Sequence, residues 1–377
     1  MTKNGRFALY IHLPWCIKKC PYCDFNSHAV KGDIPEDAYI DYLLEDFNSH
    51  FESIKEREIS SIFFGGGTPS LFSAKSLERL LTSIKKLIAF SDDCEITLEA
   101  NPGTVEQTRF KHYFELGINR ISLGIQSFQA EKLKALGRIH NDIEAHTAID
   151  AVRKAGFINF NIDIMHGLPD QTVEESLNDL AQAIKHNPTH LSWYQLTIEP
   201  NTFFHRNTPV LPDEDALEAI EQQGLSLLEN NNYKRYEISA YSLEGKQSQH
   251  NKNYWLFGDY LGIGAGAHSK LTLSNKITRH WNHKSPYSYM KKEEPFISNQ
   301  ITIKEPDIIF EFMLNALRLF ESVSFELFEA NTGLRRSVLK IPMDLAIKKG
   351  LLKNKPFIET TDLGKKYLND LCKIFIS

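Results

Sequence analysis

From Phe7 to about Thr197, short apolar runs alternate with stretches that carry their apolar residues at helical spacing. The runs at 7–13, 59–64, 95–101, 120–127, 158–165 and 190–197 have the length and composition of strands. Between them, Leu77, Leu80, Leu81, Ile84, Leu87 and Ile88 form a stripe with a period near 3.6 residues. Thr172 and Glu175 are spaced as a capping box ahead of Leu177, Leu180, Ala181 and Ile184, and Thr104 with Gln107 repeats that spacing one unit earlier. Six strand–helix units in succession predict an α/β fold with a parallel sheet, either open or curled into a partial barrel.

Beyond Asp213 the pattern changes. A helix carrying Leu217, Ile220, Leu225 and Leu228 leads to a strand-like run at 233–239, and a polar, glycine-rich region follows to about Ser288. From about Ile301 the chain is rich in Lys and Leu without glycine clusters, which predicts several short helices and a hairpin near 351–359. The expected division is therefore a large unit over residues 1–290 and a small helical unit over 291–377.

Alternation along the strands separates two faces. Ile96, Leu98 and Ala100 oppose Glu95, Thr97, Glu99 and Asn101; Ile121, Leu123 and Ile125 oppose Arg120, Ser122, Gly124 and Gln126. In the next strand Asn159, Asn161 and Asp163 share the polar face. An α/β barrel packs its outer face on helices and places its active site at the strands' C-terminal ends. Glu99, Gln126 and Asp163 fall there, facing inward. A buried carboxylate without a partner costs several kcal/mol, so these residues require a polar ligand, internal pairing with Arg120, or a water-filled lumen.

The 377 residues are 42% hydrophobic and 24% charged, as in an ordinary globular protein, and the net charge of −5 argues against a general nucleic-acid binder. No apolar run approaches the roughly 18 residues of a membrane span, and residues 1–13 lack the pattern of a signal peptide. Five cysteines are present, three of them within WCIKKCPYCDF, at Cys16, Cys20 and Cys23. Such clustering suits metal ligation in a reducing cytoplasm better than a disulfide framework. Thiolates bind zinc or iron–sulfur clusters. Zinc would need a remote fourth ligand such as Cys94, Cys372 or a histidine, whereas three cysteines on a four-iron cluster leave one iron open.

A C-x3-C-x2-C loop after the first strand of six α/β units resembles the radical S-adenosylmethionine (SAM) superfamily, as does the glycine turn FFGGGTPS after the second strand. The resemblance implies a partial (β/α)6 barrel and a [4Fe–4S] cluster on Cys16, Cys20 and Cys23. SAM would be chelated by the open iron. Within that superfamily, YIHLPWCIKKCPYCDF, GGGTPS, LEANPG, RISLGIQSF, LGRIH and NIDIMHGLP resemble the oxygen-independent coproporphyrinogen III oxidase family, which has a small helical C-terminal domain. The resemblance carries SAM contacts onto Tyr10, Tyr22, Gly66, Gly67, Thr68, Glu99, Gln126, Arg138 and Asp163, and places Thr197 along the pocket. Glycine would be required at the turn so that its backbone can approach the cofactor.

Two departures matter. The oxidases carry a fourth cysteine two residues after the third, where this chain has Phe25, and a longer segment before the first strand. Both differences, together with HNKNYW at 250–255, instead resemble a branch of heme chaperones with an HNxxYW motif. That resemblance makes His250 a heme-iron ligand, with Asn251, Tyr254 and Trp255 beside it. Imidazole is a good iron ligand and aromatic rings can cover a macrocycle. On the residues alone, His250 reads more readily as a loop or capping histidine, and His12, His166 and His268 are rival ligands.

The implied function is to hold cluster and SAM, accept heme and pass it to hemoproteins. The partners would be heme and acceptor proteins, respiratory ones included, with a cytoplasmic location and transient docking at the inner membrane. The alternative is the oxidative decarboxylation of coproporphyrinogen III in porphyrin biosynthesis.

Overall fold

The computed structural model describes residues 7–104, 107–291 and 295–376, without the side chains of 104, 107 and 108. The capping pair expected at Thr104 and Gln107 therefore lies outside the described side chains. Six parallel strands form the centre of the sheet: β1 Phe7–Leu13, β2 Glu58–Gly66, β3 Ala89–Ala100, β4 Arg120–Gln126, β5 Phe160–His166 and β6 His190–Gln195. They pair in chain order. Helices α1 Glu36–Ile54, α2 Ala74–Leu87, α3 Gln107–Glu115, α4 Asp142–Lys154 and α5 Val173–Lys185 make the crossovers. The Thr172–Glu175 capping box forms, and Asn141 with Glu144 makes another at the start of α4.

After α6 Glu214–Asn230, the hairpin β7 Lys234–Glu237 and β8 Ala240–Ser242 extends the sheet beyond β6. Helix α7 Gln249–Trp255 follows, and the chain then returns to the opposite edge. There β9 Asp259–Ile263 lies parallel to β1, and β10 His268–Leu273, β11 Lys276–Asn282 and β12 Ile297–Thr302 continue antiparallel. Among the described residues the sheet thus has twelve strands and remains open, because β6 and β1 do not pair. Strands β9 to β11 occupy the region that reads as polar and glycine-rich, and β12 follows it. A Cβ on Gly262 would lie 2.1 Å from the carbonyl oxygen of His268, so a residue that looks like a loop glycine is a strand residue pressed against its neighbour.

The outward face of the strands is the main core. Leu9, Ile11, Ile62, Leu98, Ile121, Leu123 and Ile162 are fully buried in one cluster with Leu77, Leu80 and Ile84 of α2. A second core forms beneath α8 Glu305–Ala316, α9 Phe325–Thr332, α10 Lys340–Lys348, α11 Asp362–Lys366 and α12 Leu368–Lys373. Phe257, at the end of α7, is buried in this second core.

Candidate functional site

The cysteine loop leaves the C-terminal end of β1. Trp15–Cys16 pairs with His28–Ala29, and the indole of Trp15 packs edge-on against Tyr39 at 4.7 Å. The end of β2 holds the loop from the other side: Gly67 N–H donates to the carbonyl of Leu13 at 2.8 Å, and Thr68 N–H to that of Trp15 at 2.7 Å. A Cβ on Gly67 would lie 2.4 Å from the carbonyl oxygen of Trp15, and one on Gly66 would lie 2.6 Å from the ring of His12. Gly66 also has a φ of +117°. The glycine requirement seen here thus comes from the chain's own packing against the cysteine loop, before any ligand approaches.

Cys16, Cys20 and Cys23 line a cleft with about 980 Å³ of space open to solvent on one side. Its walls include Tyr22, Gly66, Gly67, Thr68, Glu99, Gln126, Arg138 and Asp163, so eight of the nine expected SAM contacts meet the thiols there. Tyr10 does not line it. Its hydroxyl bonds to His12 Nδ1 at 3.0 Å, and its ring lies one layer deeper, 6.3 Å from those of Phe63 and His250. Thr197 is exposed and hydrogen-bonds Glu199. Asn101 and Tyr194, unmarked in the sequence reading of the site, are also wall residues. Strand alternation could have found both, since Asn101 follows Glu99, and Tyr194 lies two residues from Ser192, whose register partner is Asp163.

Hydrogen bonds order the cleft. Arg138 donates to Asn101 Oδ1 at 2.5 Å and to the Gly124 carbonyl at 2.7 Å, and reaches Cys20 Sγ at 3.6 Å. Asn101 in turn donates to Thr68 Oγ1 at 2.9 Å. Gln126 sits at a register shift with φ +72°, and its Oε1 accepts from the Tyr194 hydroxyl at 2.8 Å. A left-handed conformation at a non-glycine residue beside a cleft is a strained arrangement that functional sites often retain.

Charge in the cleft is unbalanced in a telling way. Burial, and then the nearby Asp163, raises the Glu99 carboxyl to about 8. Burial also raises Asp163, against hydrogen bonds from Ser192, Asn161 and Ser122. Burial raises the Cys16 and Cys23 thiols too. Such thiols lose their protons when a metal supplies positive charge, and carboxyls held neutral by desolvation ionise against a bound cation. Among the described residues no three His, Cys, Asp or Glu side chains converge for a single metal ion. The thiols border a volume instead, and Cys94 and Cys372 lie buried in the two hydrophobic cores. A thiol-held iron cluster facing two buried carboxylates that suit an ammonium or sulfonium group fits this donor set.

The HNxxYW residues lie elsewhere in the barrel. Helix α7 closes the floor, at the strands' N-terminal ends. Burial lowers His250 to about 3. Its Nδ1 meets Ser61 Oγ at 3.1 Å and its Nε2 meets the Tyr254 hydroxyl at 2.9 Å. Trp255 packs on the second core beneath the Arg318 guanidinium, 4.3 Å from its ring. Asn251 is half-buried, with its backbone N–H capped by Ser248. Of the rival histidines, His12 is hydrogen-bonded to Asn26 O, His166 packs on Trp193, and His268 is exposed against Trp281.

A chain of hydrogen bonds joins mouth and floor. Asn161 Nδ2 donates to Asp163 at 2.7 Å, and its Oδ1 accepts from His190 Nδ1 at 2.6 Å. His190 Nε2 then accepts from the Tyr236 hydroxyl at 2.8 Å, whose oxygen accepts the N–H of Ser248, the cap of α7, at 3.3 Å.

Three thiols on a loop after the first strand, a glycine turn after the second and inward carboxylates at the strand ends define a radical SAM barrel. The radical SAM superfamily model matches residues 10–180. The fold is similar to that of coproporphyrinogen III oxidase from Escherichia coli, with a TM-score of 0.84 at 23% identity, covering 100% of this chain and 91% of that one. Over the full length of both chains, the sequence is 51% identical to the heme chaperone HemW of Haemophilus influenzae and 48% identical to that of Escherichia coli. The chain belongs to the HemW heme-chaperone family.

Proposed function

We propose that this protein is a heme chaperone that holds a [4Fe–4S] cluster on Cys16, Cys20 and Cys23 with SAM beside it, takes up heme, and passes it to acceptor hemoproteins. The observation that carries this reading is full-length identity of about one residue in two to curated heme chaperones. The cleft supports the cofactor part. Arg138, Asn101 and Thr68 form one hydrogen-bonded wall beside Cys20, while Glu99 and Asp163 offer their charge to the cationic part of SAM. When bound, the cluster supplies one-electron chemistry to SAM.

In this reading the sheet unit carries the cofactors and His250, which takes the heme iron. The helices from Glu305 onward hold the motif helix in place. The acceptors are hemoproteins, respiratory ones at the inner membrane among them. No helix among the described residues is long and apolar enough to cross a membrane.

The test is a hemin titration of anaerobically reconstituted protein, following the heme absorbance band in wild type and His250→Ala. Saturable uptake that the substitution weakens is expected. Absence of uptake by wild type, with turnover of coproporphyrinogen III instead, would replace the chaperone reading by the oxidase one. Equal uptake by both proteins would keep the chaperone and move the iron ligand, to His268 first.

A further inference from the structure

Two facts about α7 conflict with a simple heme site. His250 is 1% exposed, and both of its ring nitrogens are engaged inside the barrel. A flat macrocycle cannot bring its iron to that Nε2 while the helix stays where it is.

The two ends of the helix are held differently. At the N-terminal end the hold on the barrel is mainly polar, with the His250 ring 5.1 Å from that of Phe63 and the Ser248 N–H bonded to the Tyr236 hydroxyl at 3.3 Å. Glu95 Oε1, on β3, accepts from the N–H groups of Gln249 at 3.0 Å and His250 at 3.3 Å, and from Ser248 Oγ at 3.5 Å. Outside, Lys252 pairs with Glu321 of the helical unit at 2.6 Å. These contacts exchange for water when broken, so each contributes little net stability. At the C-terminal end the hold is apolar and steric. Phe257 is 1% exposed within the second core, with φ +57°. Asn253 pins the turn: its Nδ2 donates to the Asp259 carbonyl at 3.1 Å, and a Cβ on Gly258 would lie 2.1 Å from its Oδ1. Asn331 of the helical unit donates to the Leu256 carbonyl at 2.7 Å.

We propose that α7 is a latch. Docked, it keeps His250 inside the barrel floor. It opens by lifting its N-terminal end off Glu95 and Glu321 while Phe257 stays anchored as the pivot. This inference rests on the heme-binding reading of the preceding section. Within HNxxYW it divides the work: His250 and Tyr254 bond to each other in the docked state, and Trp255 marks the end that does not move. A carrier gains from such a latch, because the iron ligand is withheld from chance ligands until the open form captures heme.

The test combines stopped-flow hemin capture with amide hydrogen exchange, on the reconstituted full chain and on its Glu95→Gln and Lys252→Ala variants. If opening precedes binding, the capture rate levels off at high hemin at the opening rate. That ceiling should rise about tenfold in Glu95→Gln and about threefold in Lys252→Ala, the sizes of a charge-assisted hydrogen bond and of a partly exposed ion pair. The amides of residues 250–255 should exchange faster in both variants, with those of β1 to β6 unchanged. Lys252→Ala alters a contact at the surface and serves as the reading if Glu95→Gln disturbs the fold. A capture rate that rises linearly with hemin and is the same in all three proteins overturns the latch. If wild type captures no hemin, the heme reading fails, and exchange decides the latch alone: faster exchange confined to 250–255 supports it, and unchanged exchange overturns it.

Discussion

Glu95 and Glu99 stand four residues apart on the same face of the same strand, yet one closes a floor and the other faces a cleft. At the floor Glu95 lies 4.0 Å from the buried guanidinium of Arg120 and accepts the first N–H groups of α7. At the mouth Glu99 has one backbone donor, Gly66 at 3.3 Å, and burial leaves its carboxyl raised to about 8. Both are inward and both are acidic. What separates structure from site is whether the chain itself satisfies the charge: a buried polar group that its own fold completes is architecture, and one left incomplete awaits a ligand.

The contrast breaks most completely at the mouth. Cys16→Ser, Cys20→Ser or Cys23→Ser should each reduce iron and sulfide content after anaerobic reconstitution to background, while the melting of the metal-free protein hardly changes. Retention of a full cluster by any one of them would mean that its thiol is not a ligand. At the floor the expected loss is in stability. Arg120→Met leaves Glu95 buried opposite no cation, and removing one member of a buried pair costs about 3–5 kcal/mol. Urea unfolding should show that loss, and a cost below about 1 kcal/mol would mean that the helix N–H groups alone satisfy Glu95.

Proton linkage sharpens the comparison further. A carboxyl whose folded value is raised stabilises the fold fully below its ordinary value and loses that contribution as pH rises through the folded one. For Glu99 the window runs from about 4.5 to about 8. Buried histidines act in the opposite sense on the acid side, since burial lowers His250 to about 3 and His12, His140, His166 and His280 to about 4. In the unfolded chain these imidazoles are still half protonated at pH 6.5, so they gain stability over the same range, and the carboxyl effect is isolated by the difference between wild type and Glu99→Gln. Relative to Glu99→Gln, the ligand-free wild type should lose roughly 2 kcal/mol between pH 6.5 and 8. Parallel curves for the two proteins over this range would show that Glu99 is already ionised, hence less confined than its burial indicates.

Much of this was legible in the chain. The parallel strands, the cysteine loop and the inward row Glu99, Gln126 and Asp163 follow from period and spacing, because strand alternation and barrel geometry fix them locally. Glu95 and Arg120 sit on the same inward row, and only the third dimension shows that α7, more than 150 residues away, completes one of them. Strands β9 to β12 were hidden for a related reason. They extend the sheet from β1 outward to the exposed edge strand β12, with polar residues such as Ser269, Lys270 and Asn282 buried among them, and Gly262 reads as a loop residue until its neighbour His268 is in place. Tyr10 lies a layer below the lining of the cleft, since the motif tells which face a residue takes but not its depth along the barrel.

The smallest expected effect falls at the floor, at Tyr254. Tyr254→Phe removes the hydroxyl that bonds His250 Nε2 and keeps the ring that packs edge-on against Tyr260 at 4.6 Å. His250 Nδ1 retains Ser61, so one neutral hydrogen bond is lost at a cost of about 1 kcal/mol. If that bond belongs to the docked helix alone, its loss destabilises only the docked form, and hemin capture should quicken about fivefold for the same free energy. A matching loss of stability with unchanged capture would place the bond in both forms of the helix. Tyr254 would then travel with His250 when the floor opens, and the hold on α7 would rest with Glu95.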